Sequence, residues 1–181
     1  MAPPAASSTG DAPIEVVDYQ PGWPALFEAE RQRLQEVLAP WLAGPVEHIG
    51  STAVPGLPAK PIIDIMAPVH SLAGSTEAIA ALGTLDYLHY PYKPQQMHWF
   101  CKPSPAHRTH HLHLVPMGSA LWQQRLAFRD ALRGSAGLTA RYAALKRQLA
   151  LQYRHDREGY TEAKGPFIAE VLALPGPGKP A

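Results

Sequence analysis

The run Pro61-Ile62-Ile63-Asp64-Ile65-Met66-Ala67-Pro68-Val69 constrains this chain more than any other segment, because it is apolar apart from one acid. It falls well short of the ~18 apolar residues of a membrane span. It reads instead as a buried strand, and a buried strand needs a sheet with something packed on it. Asp64 is the anomaly. An unpaired buried carboxylate is costly, so Asp64 is expected to meet a metal, a cation or hydrogen-bond donors. Alternation along the strand places Ile62, Asp64 and Met66 on one face. Lys60 lies just before the strand, where it can neutralise a phosphate or pair with Asp64.

The rest of the chain supplies further strands and the helices to cover them. A short strand is expected at residues 14–18, then a turn at Gln20-Pro21-Gly22. Trp23-Pro24 opens a helix, since proline is tolerated in the first turn. The helix is read to about Leu42, with Phe27, Leu34, Leu38 and Trp41 on its buried face and Gly44-Pro45 as its stop. Residues 46–49 read as a strand ending at Gly50, and 51–59 as a loop. Residues 75–82 read as a short helix capped by Ser75 and closed by Gly83. Strands follow near 87–90, 97–102 and 109–115. Helices are expected at 119–133, 138–153 and about 166–172. In the second of these, Tyr142, Leu145, Leu149 and Tyr153 form a stripe that belongs to the core. The order, strands with one helix and then a run of helices, describes an α/β protein with a mixed sheet.

Composition narrows the class. The chain has 181 residues, 46% hydrophobic and 17% charged, which suits one globular domain at 14–174 between mobile Pro/Ala-rich tails at 1–13 and 175–181. A formal net charge of +1, with no basic run interleaved with aromatics, argues against nucleic acid as a partner. Cys101 is the single cysteine, so no internal disulfide forms and a reducing, cytoplasmic setting is expected. The first residues lack the basic start and apolar core of a signal peptide, and no membrane partner is expected.

Two further segments carry chemistry. In His48-Ile49-Gly50-Ser51-Thr52, a strand runs into a glycine beside two hydroxyl residues. A missing Cβ lets the backbone approach a ligand, and the neighbouring N–H and O–H groups can hold phosphate oxygens. In Thr109-His110-His111-Leu112-His113-Leu114-Val115, alternation puts His111 and His113 on one face and His110, Leu112 and Leu114 on the other. Two imidazoles so placed bind one metal ion, hold a phosphate when protonated, or simply hydrogen-bond at a polar sheet face. His107 and Arg108 are read as solvated loop residues.

Taken together these segments resemble the GrpB family. The resemblance rests on His48 to Leu57, on Lys60-Pro61-Ile62-Ile63-Asp64-Ile65 and on Thr109 to Leu114. It extends to Tyr19-Gln20-Pro21-Gly22-Trp23-Pro24, Phe128-Arg129-Asp130, Tyr142, Leu145-Lys146 and Tyr160-Thr161-Glu162-Ala163-Lys164. It implies a fold like that of the polymerase-beta type nucleotidyltransferases, with C-terminal helices. There a Gly-Ser turn binds a nucleoside triphosphate, and acids on nearby strands hold two magnesium ions. Gly50 and Ser51 match the turn and Asp64 the first acid. Met66 stands where the second acid is expected, and the strand for a third acid carries His111 and His113.

The resemblance thus implies nucleotidyl or related phosphoryl transfer from a nucleoside triphosphate to a small acceptor. Gly50, Ser51, Thr52 and Lys60 would bind phosphate. Asp64, His111 and His113 would hold one divalent ion (magnesium, manganese or zinc), or His111 would act as the base. Arg129, Lys146 and Lys164 would offset charge. The alternative is a module that binds a nucleotide or phosphorylated metabolite without chemistry and assists a partner enzyme. Coenzyme A metabolism is one setting, since some actinobacterial dephospho-CoA kinases carry a domain of this type.

Overall fold

A computed structural model describes residues 12–174. The tails expected at 1–13 and 175–181 lie outside the described residues, apart from Ala12 and Pro13. Five strands form one sheet: β1 (Glu47–Ile49), β2 (Ile63–Val69), β3 (Leu88–Tyr90), β4 (His98–Pro103) and β5 (Arg108–Pro116). Their spatial order is β1-β2-β5-β4-β3. β2 and β5 run parallel, and the other neighbours pair antiparallel. The helices are α1 (Trp23–Leu38), α2 (Glu77–Leu82), α3 (Ala120–Gly134), α4 (Ala136–Gln152), α5 (Arg157–Ala163) and α6 (Gly165–Ala173). The mixed sheet with packed helices agrees with the sequence reading.

The alternation of β2 and β5 decides what each face meets. Ile63, Ile65, Ala67 and Val69 face one side with Leu112 and Leu114, and α1 and α2 cover them through Leu34, Leu38, Ala78 and Leu82. Met66 and Val115 face the other side, where Ile49, Met97 and Trp122 of α3 enclose them. Asp64, His111 and His113 share this second face. A one-residue register slip would exchange the two sets, so burial of the leucines fixes where the histidines point.

The first face also contains a buried ion pair. Glu30 of α1 accepts from Lys102 Nζ at 2.5 Å and from the Tyr87 hydroxyl at 3.0 Å. Glu30 is 4% exposed and Lys102 8%. Burial alone would raise the Glu30 carboxyl, but the Lys102 ammonium and the Tyr87 hydroxyl outweigh it and hold it below its ordinary value.

Several boundaries differ from the sequence reading. The segment expected as a strand at 14–18 joins no sheet: Val17 makes one antiparallel bridge with Ala59, and Ile14 N donates to Arg154 O. α1 stops at Leu38, not Leu42: Ala39 keeps a helical conformation, but Pro40 has no N–H with which to continue the ladder. Ser75 caps nothing. Its hydroxyl donates back to Ser71 O and Leu72 O inside a 3-10 turn, and α2 begins at Glu77. Arg108 is not a loop residue. It opens β5 and lies 5.3 Å over the Trp99 ring. α5 was not anticipated, although Asp156 caps it by accepting from Gly159 N, and an aspartate at that position is a readable start signal.

Candidate functional site

The parallel pairing of β2 with β5 sets Asp64 opposite His111 and Met66 opposite His113. Because alternate residues share a face, three polar groups distant in sequence meet at one place. His111 Nδ1 donates to Asp64 Oδ1 at 3.0 Å, and His113 Nε2 lies 3.9 Å from the same oxygen. Burial alone would raise the Asp64 carboxyl; the His111 and His113 rings outweigh it and hold it well below the usual carboxylate range. Burial lowers His113 to about 4 against the pull of Asp64, so this ring is neutral at pH 7. Its Nδ1 sits 3.3 Å from Met97 Sδ. His111 Nε2 is buried and has no hydrogen-bond partner among the described residues. An imidazole that donates through Nδ1–H and carries no second proton has a lone pair on Nε2.

Gly50 closes the other side of Asp64. Its φ of +70° and ψ of −170° belong to a region that is essentially glycine-only. A Cβ built there would lie 2.6 Å from Asp64 Oδ2. The glycine therefore serves close approach by the carboxylate, as well as the turn into Ser51. The turn is held from behind. His48 Nε2 donates to Thr52 Oγ1 at 2.9 Å, and Thr52 Oγ1 donates to Ile62 O at 3.4 Å. Phe27 stacks on the His48 ring at 4.6 Å. Burial lowers His48 to about 4, which keeps it a neutral donor. Thr52→Val leaves His48 Nε2 unpaired, and it is expected to cost about 1–3 kcal/mol in denaturant titration.

Beyond Ser51 lies a group of cations and phenols. Burial pushes the Tyr142 hydroxyl up, and Ser51 is among the groups that oppose the shift. Lys146 lies 4.9 Å over the Tyr142 ring and donates to Pro58 O. Lys60 and Lys164 lie 5.2 and 4.4 Å from the Tyr160 ring. Lys146 is 2% exposed. Burial, then the charges of Lys164 and Lys60, lowers it to about 7. Burial and the charge of Lys60 likewise lower Lys164 to about 7, and Asp64 opposes both shifts.

The profile of the GrpB protein family matches residues 13–174. The chain belongs to the GrpB family. It is 40% identical to a UPF0157 protein of Pseudomonas aeruginosa, over 92% of this chain and 69% of that one. Its fold superposes on the crystal structure of the conserved protein GrpB from Enterococcus faecalis with a TM-score of 0.78 and 33% identity, covering 87% and 94% of the two chains. A more distant likeness, 28% identity over 88% of this chain, is to dephospho-CoA kinase of Mycolicibacterium paratuberculosis, of which the chain spans 45%.

Within this GrpB fold the residues singled out in sequence do not all behave alike. Asp64, His111, His113, Gly50 and the Ser51-Thr52 turn converge. Arg129 does not join them: it pairs with Glu47 and Asp130 at 2.7 Å each and donates to His48 O, so it fastens α3 to β1. Met66 is fully buried in the core beneath α3. The three-ligand metal set expected from the sequence is not preformed. Among the described residues no group of three or more His, Cys, Asp or Glu side chains is arranged to hold a metal ion. The reason is local: Asp64 meets His111 face to face through Nδ1, as partner and not as co-ligand. The sequence assigns Tyr142 to the core and gives no site role to Tyr160 or Trp99; the structure sets Trp99 5.1 Å from the His111 ring and Tyr160 beside Lys60 and Lys164.

Proposed function

We propose that this GrpB protein transfers a nucleotidyl or related phosphoryl group from a nucleoside triphosphate to the hydroxyl of a small acceptor, with His111 as the base. The observation that carries this reading is the buried, unpartnered Nε2 of His111 on a ring whose Nδ1 is bound to Asp64. A carboxylate on Nδ1–H fixes the tautomer and stabilises the imidazolium that forms when Nε2 takes a proton. Gly50, Ser51 and Lys60 would hold the phosphates, with Thr52 offering its backbone N–H, since its hydroxyl is buried between His48 and Ile62 O. In the step, the acceptor hydroxyl gives its proton to His111 Nε2, and its oxygen bonds to the attacked phosphorus. The bond from that phosphorus to the leaving phosphate oxygen breaks, and the electron pair departs with the leaving phosphate. A divalent ion (magnesium, manganese or zinc), when bound, would neutralise phosphate charge; phosphate oxygens and the Asp64 carboxylate are the hard donors such an ion takes.

Removing the carboxylate tests the proposal. Asp64→Ala is expected to lower turnover of ATP with a divalent ion and a panel of small hydroxyl acceptors by about 100-fold. It should also weaken equilibrium binding of ATP with the ion. Unchanged ATP and metal binding in Asp64→Ala counts directly against this reading.

A second reading has its own observation. The position of the expected second acid is Met66, sealed in the core, which favours a module that binds a nucleotide or phosphorylated metabolite and assists a partner enzyme. Coenzyme A metabolism is one setting for such a module, a suggestion supported by the likeness to a dephospho-CoA kinase. Nucleotide that binds tightly and is recovered intact after long incubation with every acceptor supports this second reading over the first.

A further inference from the structure

Three ammonium groups gather beside the Gly50-Ser51 turn from three separate elements. Lys60 comes from the segment before β2, Lys146 from the middle of α4 and Lys164 from the junction of α5 and α6. Tyr142 and Tyr160 act as spacers, with Lys146 over one ring and both Lys60 and Lys164 beside the other. Like charges this close repel, and Lys146 is buried with Pro58 O as its hydrogen-bond acceptor among the described residues. An ammonium has three protons to donate, so Lys146 can take further acceptors. Asp64 is the acid whose charge reaches both Lys146 and Lys164.

We infer that Lys60, Lys146 and Lys164, held around Tyr142 and Tyr160, form a cradle for a polyphosphate chain that binds without a metal ion. The cradle extends the phosphate side of the proposed transfer reaction and needs none of its chemistry. Three cations spread over two rings match several linked phosphates better than one orthophosphate. Lys146 and Lys164 are each lowered to about 7, by burial first and by neighbouring cations after it. A polyanion reverses that balance and favours the charged forms. Ligand binding at pH 8 should therefore draw protons onto these lysines. The other charged groups facing them are Lys60, Asp64, Arg125 and Arg147.

The test is calorimetric titration of the full chain with inorganic tripolyphosphate in EDTA at physiological ionic strength. Orthophosphate and a single-stranded oligonucleotide serve as comparison ligands. Wild type is expected to bind tripolyphosphate at least about 10-fold more tightly than orthophosphate. Lys146→Met with Lys164→Met is expected to lose about 30-fold or more, in line with loss of charge-assisted hydrogen bonds. Net proton uptake, read from two buffers of different ionisation enthalpy at pH 8, should vanish in the same double variant. Lys164→Gln alone, at a half-buried position, gives a milder variant if the double one folds poorly. Asp64→Asn should tighten metal-free tripolyphosphate binding, opposite to the weakened metal–ATP binding expected of Asp64→Ala. Equal affinity for tripolyphosphate and orthophosphate, equal binding by the lysine variants, or tighter binding of the oligonucleotide overturns the cradle. Failure of the transfer reading alone would show as intact metal–ATP binding in Asp64→Ala beside normal metal-free tripolyphosphate binding.

Discussion

Gly50→Ala is expected to destabilise the chain by about 4 kcal/mol, combining ~1–3 kcal/mol of backbone strain with a similar cost for overpacking. The backbone at Gly50 has φ +70°, where an L side chain is strained whatever space surrounds it. The added methyl would also meet Asp64 Oδ2 at 2.6 Å and the Asp64 Cβ at 3.0 Å. Either Gly50 retreats and unseats Ser51, or Asp64 moves and breaks its 3.0 Å bond to His111. Both routes damage the site before global unfolding begins. Denaturant titration should show the stability loss, and hydrogen exchange should show faster opening around residues 50–53 and 64. A variant as stable as the wild type would mean that the turn is soft and that Asp64 is not held by it.

Lys102→Met is expected to cost about 3–5 kcal/mol at pH 7, because it leaves the Glu30 carboxylate buried without its main counter-charge. Arg33 remains 3.4 Å away and the Tyr87 hydroxyl 3.0 Å away, which places the loss toward the lower end. The pH dependence has a definite sign. In the wild type Glu30 is held below its ordinary value. Its contribution is therefore present above the unfolded glutamate pKa of about 4.3 and is lost as pH falls through the depressed folded value. In Lys102→Met burial dominates and raises the carboxyl, so protonation stabilises that variant. The stability gap between the two proteins should be widest at neutral pH and narrow in acid. A gap that stays constant from pH 7 to pH 4 would show that Glu30 and Lys102 are not coupled as described.

Much of the architecture is legible in the sequence. The apolar run around Asp64, the alternation at 109–115 and the helical stripes located β2, β5, α1 and α4, because burial periodicity is written locally. Element ends were less legible. The strand expected at 14–18 failed because an extended apolar segment can satisfy its backbone with isolated partners, here Ala59 and Arg154, instead of a ladder. Ser75 failed as a cap because its hydroxyl found acceptors in its own preceding turn, a competition that propensity does not reveal.

For the site, the sequence alone determined which residue types were available and which faces they occupied: one acid on β2, two histidines on the same side of β5, and a glycine beside hydroxyls after β1. Tertiary structure decided their relations. Parallel pairing put His111 level with Asp64, which made an oriented carboxylate–imidazole pair in place of a three-ligand metal set. The helical packing brought Lys146 and Lys164 to Lys60, although more than 80 residues separate Lys60 from either. Alternation is a property of a single strand, whereas register and helix docking depend on long-range burial that no local pattern encodes.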